Sequence, residues 1–178
     1  MTLVADPHDL RRHLRPVADF PKPGIMFQDV TPLLADPQAW ARTVDAMAVE
    51  VAALGAELVA GIEARGFLIG AAVAYRLGVG FVPIRKPGKL PAAVERAEYN
   101  LEYGTDALEM HADAPVGGRR VAIVDDVLAS GGTANAAKVL VERLGGQTCG
   151  LAFIIELEQL AGRAELAPTQ VRSLLTIA

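Results

Sequence analysis

The sequence predicts an α/β fold, a parallel β-sheet flanked by helices, and three observations carry that prediction. Short apolar runs of strand length alternate with segments of helical period, the pattern of βαβ units. The runs are continuous stretches of Val, Leu, Ile and Ala, as in strands covered on both faces. Glycines close the helical segments, at Gly55, Gly78 and Gly145-Gly146.

The elements follow in order. Asp6-Pro7 opens a short helix through Leu10, His13 and Leu14, because Asp caps and Pro suits the first helical position. Pro21 and Pro23 deny regular structure to Phe20–Gly24, which reads as an extended loop. Asp36-Pro37 starts a second helix, with Trp40, Val44, Met47 and Val51 at helical spacing and Trp40 as its core anchor. Leu58–Ile62 is a buried strand, Gly66–Leu77 a helix with a small-residue packing face, and Gly80–Ile84 the next buried strand. Arg85–Thr105 is polar, basic and then acidic, and a connection of that length without structure of its own suits a lid or binding loop. Leu108–His111 is a candidate strand. Val121–Val124 is a strongly β-branched strand, Thr133–Leu144 a helix and Cys149–Ile155 a further buried strand. A fifth sheet strand is expected near Val171–Ile177.

Composition narrows the class. The chain has 178 residues, 52% apolar and 21% charged, which excludes a disordered or fibrous protein. The longest uncharged stretch, Leu144–Ile155, has twelve residues, short of the roughly 18 a membrane helix needs. Met1–His13 is interrupted by Asp6, Asp9, Arg11 and Arg12, so no signal-peptide core is expected there. A single cysteine, Cys149, rules out an internal disulfide and fits a cytoplasmic, reducing compartment. A net charge of −4 argues against general attraction to nucleic acid or anionic membrane. His8, His13 and His111 share no ligand spacing.

In open parallel sheets, ligands sit at the carboxyl ends of the strands. Two segments reach that edge: Glu63-Ala64-Arg65-Gly66, and Asp125 through Thr133. In the second, Asp125-Asp126 leads into Val127-Leu128-Ala129-Ser130-Gly131-Gly132-Thr133 and then a helix. Gly131 and Gly132 can adopt positive φ and bring backbone N–H groups close to an anion. The helix N-terminus adds partial positive charge, and Ser130 and Thr133 add hydroxyl donors. This is a phosphate cradle, and the two acids suit hydroxyl groups beside it; a ribose 5-phosphate fits both halves. A solvated turn or a metal site are the other readings of the acid pair. The spacing is neither a Walker A loop nor a dinucleotide fingerprint.

Val121–Thr133 resembles the signature of the type I phosphoribosyltransferases, which use 5-phosphoribosyl 1-diphosphate (PRPP). Four further blocks narrow the resemblance to the adenine phosphoribosyltransferase family: Asp19-Phe20-Pro21-Lys22-Pro23-Gly24-Ile25-Met26-Phe27, Gly61-Ile62-Glu63-Ala64-Arg65-Gly66-Phe67, Arg85-Lys86-Pro87-Gly88-Lys89-Leu90-Pro91 and Leu101-Glu102-Tyr103-Gly104. The resemblance implies transfer of the phosphoribosyl group to adenine, giving AMP and diphosphate in purine salvage. It implies one domain over residues 1–178, with a base-binding hood near 19–35 and a mobile lid near 85–105. Asp125 and Asp126 would bind the ribose hydroxyls, and Ala129, Ser130, Gly131, Gly132 and Thr133 the 5-phosphate. Arg65 would meet the diphosphate, with Lys86 and Lys89 beside it and Arg85 acting across a subunit interface. A surface charge is the bland reading of Arg65, and a solvated face that of the lysines. Glu102 would be the general acid–base at the purine imidazole, Tyr103 would help close the lid, and Met26 and Gln28 would face the base.

Many members carry Arg where this chain has Gln28, which bears on base choice. Phe27 reads as core rather than a stacking platform, and Asp29 and Asp36 as a turn residue and a helix cap. Mg²⁺ is implied as a cofactor carried by PRPP, and a homodimer is implied as the assembly. The alternatives are a phosphoribosyltransferase for another purine and a non-catalytic PRPP-binding regulator.

Overall fold

A computed structural model of the chain describes residues 7–20, 22–101 and 104–178. The strands are β1 (Arg15–Ala18), β2 (Met26–Asp29), β3 (Leu58–Ile62), β4 (Gly80–Ile84), β5 (Val94–Leu101), β6 (Gly104–His111), β7 (Arg120–Leu128), β8 (Gln147–Leu157) and β9 (Val171–Ile177). The helices are α1 (Pro7–Arg12), α2 (Thr31–Ala35), α3 (Pro37–Ala53), α4 (Arg65–Leu77), α5 (Gly132–Arg143) and α6 (Gly162–Glu165). None of the described helices is long and apolar enough to cross a membrane.

Five strands form a parallel sheet in the order β4-β3-β7-β8-β9. Alternate side chains leave opposite faces of a strand. Val59, Ala122, Val124, Ala152 and Ile154 therefore bury against α3 and α4, while Ala60, Ile62, Ile123, Leu151 and Phe153 share the other core with α5. From β3 the chain crosses through α4 to β4 on one side. From β7 it crosses through α5 to β8 on the other. The crevice between the carboxyl ends of β3 and β7 is thus the topological switch point, where open sheets place ligands.

The caps explain the helix borders. Asp36 Oδ1 accepts from Gln38 N (3.0 Å) and Ala39 N (2.8 Å), with Pro37 at the first helical position. Gly78, at φ 69°, ends α4 in the left-handed region. The buried face of α3 is Ala39, Thr43, Ala46, Met47, Ala48 and Val51. Trp40 is half-buried at the margin of this core rather than its anchor.

Two hairpins stand where loops are expected. β1 and β2 pair antiparallel, from Arg15↔Asp29 to Ala18↔Met26. The turn between them is held by Gly24 N donating to Asp19 Oδ1 (2.7 Å), so residues 22–24 turn at the tip of a hairpin rather than run extended. Within 85–105, residues Val94–Leu101 form β5 and pair with β6. Ala97 and Tyr99 point inward between exposed Arg96 and Glu98.

Phe153 is among the largest fully buried side chains, whereas Leu160 is 42% exposed. Phe153→Ala is expected to cost about 3–5 kcal/mol. Leu160→Ala is expected to stay within about 0.5 kcal/mol. Urea unfolding of the two variants checks this, and similar losses would contradict the placement of the core.

Candidate active site

The site is built from the ends of β3 and β7. β7 does not stop at Val124; it runs through both acids to Leu128, with Asp125 opposite Phe153 of β8. Asp126 is 3% exposed. A carboxylate buried so far needs a partner, and Arg65, the first residue of α4, supplies its Nε–H to Asp126 Oδ2. The two edge segments read from the sequence are therefore joined by one ion pair.

Close backbone approach makes that pair possible. A Cβ on Gly66 would lie 2.7 Å from Val124 O and 2.9 Å from Asp125 Oδ1. One on Gly61 would lie 2.6 Å from Gly66 O. Only glycine at these two positions lets the start of α4 sit against the end of β7.

The electrostatics follow from crowding. Burial and the neighbouring Asp126 charge push the Asp125 carboxyl well above the usual aspartate range. Burial works against the Arg65 charge, but the hydrogen bond and charge of Asp126, with Asp125 and Asp29 behind it, more than offset this and raise its pKa. The Arg65 guanidinium also lies 5.5 Å from the centre of the Phe27 ring, which meets Phe20 edge-on at 5.1 Å. Arg65 thus ties the β1–β2 hairpin to the sheet. Phe27 is half-buried in this contact and is not a core residue. On the same hairpin Met26 is 53% exposed and Gln28 is half-buried. Asp29 anchors its base, accepting from Arg15 Nε (3.0 Å), Thr31 N (2.9 Å) and Thr31 Oγ1 (2.8 Å).

After Leu128 the chain turns through Ala129 and Ser130 into α5. Gly131 is the helix cap at φ 91°; Gly132 is already the first helical residue, so only one of the two glycines uses the left-handed region. Ser130 is exposed, and Thr133 is half-buried in the first turn of α5, whose N–H groups lack intrahelical acceptors.

The 85–89 segment packs against the same edge. Arg85 reaches Glu63 through Nη2 (3.2 Å) and Nε (3.3 Å), and Lys86 N donates to Glu63 Oε2 (3.0 Å). These contacts hold the Glu63 carboxyl below the usual glutamate range, the Lys86 N–H first among them. Within this chain Arg85 is engaged with Glu63. Lys86 Nζ donates to Tyr99 OH (2.8 Å) and to Asp106, tying it to the β5–β6 hairpin. Lys89 is exposed. Glu102 and Tyr103 lie outside the described residues.

Sequence spacing does not single out Glu63, Asp106 or Tyr99 as partners of these cations. Alternation of Ala97 and Tyr99 with Arg96 and Glu98 is the signal that could have revealed Tyr99; nothing local marks the Glu63 contact. Among the described residues no group of three His, Cys, Asp or Glu side chains is placed to hold a metal ion.

A testable consequence concerns Asp125. Its folded-state pKa lies above its ordinary value of 3.8, so the native state binds the proton more tightly. The sign is then fixed: stability falls as pH rises from the unfolded pKa through the folded one, and the cost is complete above it. Asp125→Asn is expected to raise Tm at neutral pH and to lose that advantage in acid. Thermal melts across pH check this; a Tm lowered at neutral pH would contradict it.

Comparison with known proteins agrees with this geometry. The phosphoribosyl transferase domain family matches residues 36–174. The adenine phosphoribosyltransferase of Gloeobacter violaceus is 56% identical over 158 residues, 89% of this chain and 92% of that protein. That of Myxococcus xanthus is 54% identical over 177 residues, 98% of this chain and 94% of that protein. The crystal structure of adenine phosphoribosyltransferase from Thermoanaerobacter pseudethanolicus superposes with a TM-score of 0.94 at 49% identity, over 97% of this chain and 100% of that one. With five parallel strands, a switch-point crevice and relatives similar along nearly the whole length, the chain belongs to the adenine phosphoribosyltransferase family of phosphoribosyl transferase domains.

Proposed function

We infer that the chain transfers the 5-phosphoribosyl group of PRPP to adenine, giving AMP and diphosphate, a pentosyl transfer of purine salvage. The observation that carries the reading is the Arg65–Asp126 pair. It joins the segment after β3 to the acids of β7 at the switch point, beside the loop that opens α5. A yeast relative, 39% identical with a TM-score of 0.89, was solved with an imino-altritol bisphosphate and adenine.

In this reading the residues divide the substrate between them. Ala129, Ser130, Gly131, Gly132 and Thr133 hold the 5-phosphate through backbone N–H groups and hydroxyls. Asp125 and Asp126 accept from the ribose hydroxyls. Arg65 gives Nε to Asp126 and has further donors in its fork for the diphosphate. Lys86 and Lys89 add charge there, Lys86 by leaving Asp106 and Tyr99. Met26 and Gln28 face the base from the hood near 19–35, and residues 85–105, which carry β5, close over the site with Tyr103.

The reaction displaces diphosphate from the anomeric carbon through a transition state of oxocarbenium character. Negative charge grows on the leaving group, where Arg65, Lys86 and Lys89 oppose it. Holding both substrates in line supplies up to roughly 7–11 kcal/mol in favourable cases. A closed lid keeps water from the activated sugar. Glu102 takes the imidazole proton of adenine, or returns it in reverse.

Mg²⁺ belongs to the proposal as a companion of PRPP. The donors at the edge are two adjacent carboxylates, one already engaged by Arg65, a set that suits a hydrated cation held mainly by substrate oxygens. When bound, Mg²⁺ neutralises charge on the diphosphate. A homodimer is also part of the reading. It is supported by the family and by Leu68 and Tyr75, 54% and 90% exposed and seven residues apart on α4. A cytoplasmic location is supported by the lone free thiol of Cys149 and by soluble phosphorylated substrates.

Diphosphate release with PRPP, Mg²⁺ and each of adenine, hypoxanthine, guanine and xanthine tests the reading. Turnover with adenine is expected; turnover with an oxopurine alone would overturn the base choice at Gln28. Replacing Asp125 and Asp126 together by Asn is expected to raise the PRPP KM, and an unchanged KM would remove the ribose assignment. Glu102→Gln is expected to lower kcat about a hundredfold or more. A wild-type kcat would reject the acid–base role.

A further inference from the structure

A buried carboxylate lies at the carboxyl end of β8, where Glu156 pairs with Leu128 of β7, one residue before the loop that opens α5. Glu156 is 7% exposed, and three donors hold it. Arg163 gives Nε to Oε1 (2.9 Å) and Nη2 to Oε2 (2.5 Å), and Ser173 Oγ gives a third bond to Oε2 (2.5 Å). This is the two-bond fork that Arg makes with a carboxylate. Arg163 Nη1 also donates to Val171 O (2.7 Å), so the guanidinium binds the ends of β8 and β9 together.

Arg163 belongs to α6, a helix of four residues. A helix that short has no stability of its own and stays where its side chains are anchored. One anchor is the Glu156 fork; the other is Leu166, just beyond α6, which is fully buried in the core with α5. Between them the backbone of α6 is pressed against the loop that opens α5. A Cβ on Gly162 would lie 2.1 Å from Ala129 O and 3.0 Å from Gly131 N. A Cβ on Gly131 would in turn lie 2.7 Å from Gly162 O. Asn135 Nδ2 donates to Glu165 Oε1 (3.3 Å), a further link between α5 and α6.

We propose that Arg163 is a positioning residue for the phosphate loop: its fork on Glu156 seats Gly162 against Ala129 and Gly131 and so sets the loop's backbone. The proposal rests on the reading of Ala129–Thr133 as the 5-phosphate site. Arg163 donates to Glu156, Val171 and Ser173, so its influence on the loop passes through the neighbouring Gly162. Backbone donors must be held closely to bind an anion well, and a loosened support weakens binding of the group they face. The cost therefore falls on PRPP and not on adenine.

Steady-state kinetics of the full chain, varying PRPP and adenine separately, test this with Arg163→Met, Arg163→Lys and Glu156→Gln. Arg163→Met is expected to raise the PRPP KM about tenfold, with kcat and the adenine KM within about twofold. Arg163→Lys keeps one charged donor and is expected to recover part of the loss. A PRPP KM unchanged in Arg163→Met, or equal rises in both KM values, would overturn the proposal, whatever happens to Tm. If Arg163→Met does not fold, Arg163→Lys and Glu156→Gln decide by the same split. Ser130→Ala combined with Thr133→Ala separates the two claims. An unchanged PRPP KM there would sink the loop reading itself; a raised one beside unaffected Arg163 and Glu156 variants would sink only the support.

Discussion

The arrangement depends on one buried charge. Asp126 stands at the carboxyl end of the central strand β7 with its side chain 5% exposed. A carboxylate in that position is costly unless an opposite charge reaches it. Arg65 does so from the start of α4, and in doing so fixes three things at once. The turn after β3 is held against β7, the Phe27 ring of the β1–β2 hairpin is drawn beneath the guanidinium, and Asp125 is left beside a neighbouring charge that disfavours its own ionisation. Sheet, hairpin and acid pair are therefore one electrostatic unit.

That unit needs backbone contact closer than any side chain permits. Gly61 and Gly66 let the β3–α4 turn lie against β7, and Gly131 and Gly162 do the same for the loop after β7 and the short α6 beyond β8. The switch-point crevice is framed on both sides by glycine pairs in direct backbone contact. Beyond each pair stands an ion pair that sets its position, Arg65 with Asp126 and Arg163 with Glu156. Lys86 is held differently, by an Asp and a Tyr of the β5–β6 hairpin. Its side chain is partly exposed, so leaving these partners asks little change in hydration.

Much of this architecture was legible in the residues. Leu58–Ile62 and Gly80–Ile84 are strands with the expected borders; β3 is buried throughout, as its uninterrupted apolar run implies, whereas β4 lies at the sheet edge and buries only Val82 and Ile84. Asp36-Pro37 and Gly78 mark helix ends through capping chemistry that acts locally. What local chemistry does not encode was missed. β5 hides its period-two pattern behind charges: among its described side chains only Ala97 and Tyr99 are buried. β7 continues past Val124 because β8 pairs with it through Leu128, a tertiary fact that two consecutive acids disguise. The strand-end segments Glu63–Gly66 and Asp125–Thr133 were found as candidates from their place in the sheet. The Arg65–Asp126 and Arg85–Glu63 pairs join residues 61 and 22 apart, and no spacing rule announces them.

The central claim is that the crevice around Arg65 and Asp126 receives a ribose 5-phosphate. A crystal structure with AMP bound tests it most directly. The phosphate is expected on the backbone N–H groups of residues 129–133, with the ribose hydroxyls donating to Asp125 and Asp126. A phosphate seated elsewhere, with both acids away from the ribose, would contradict it.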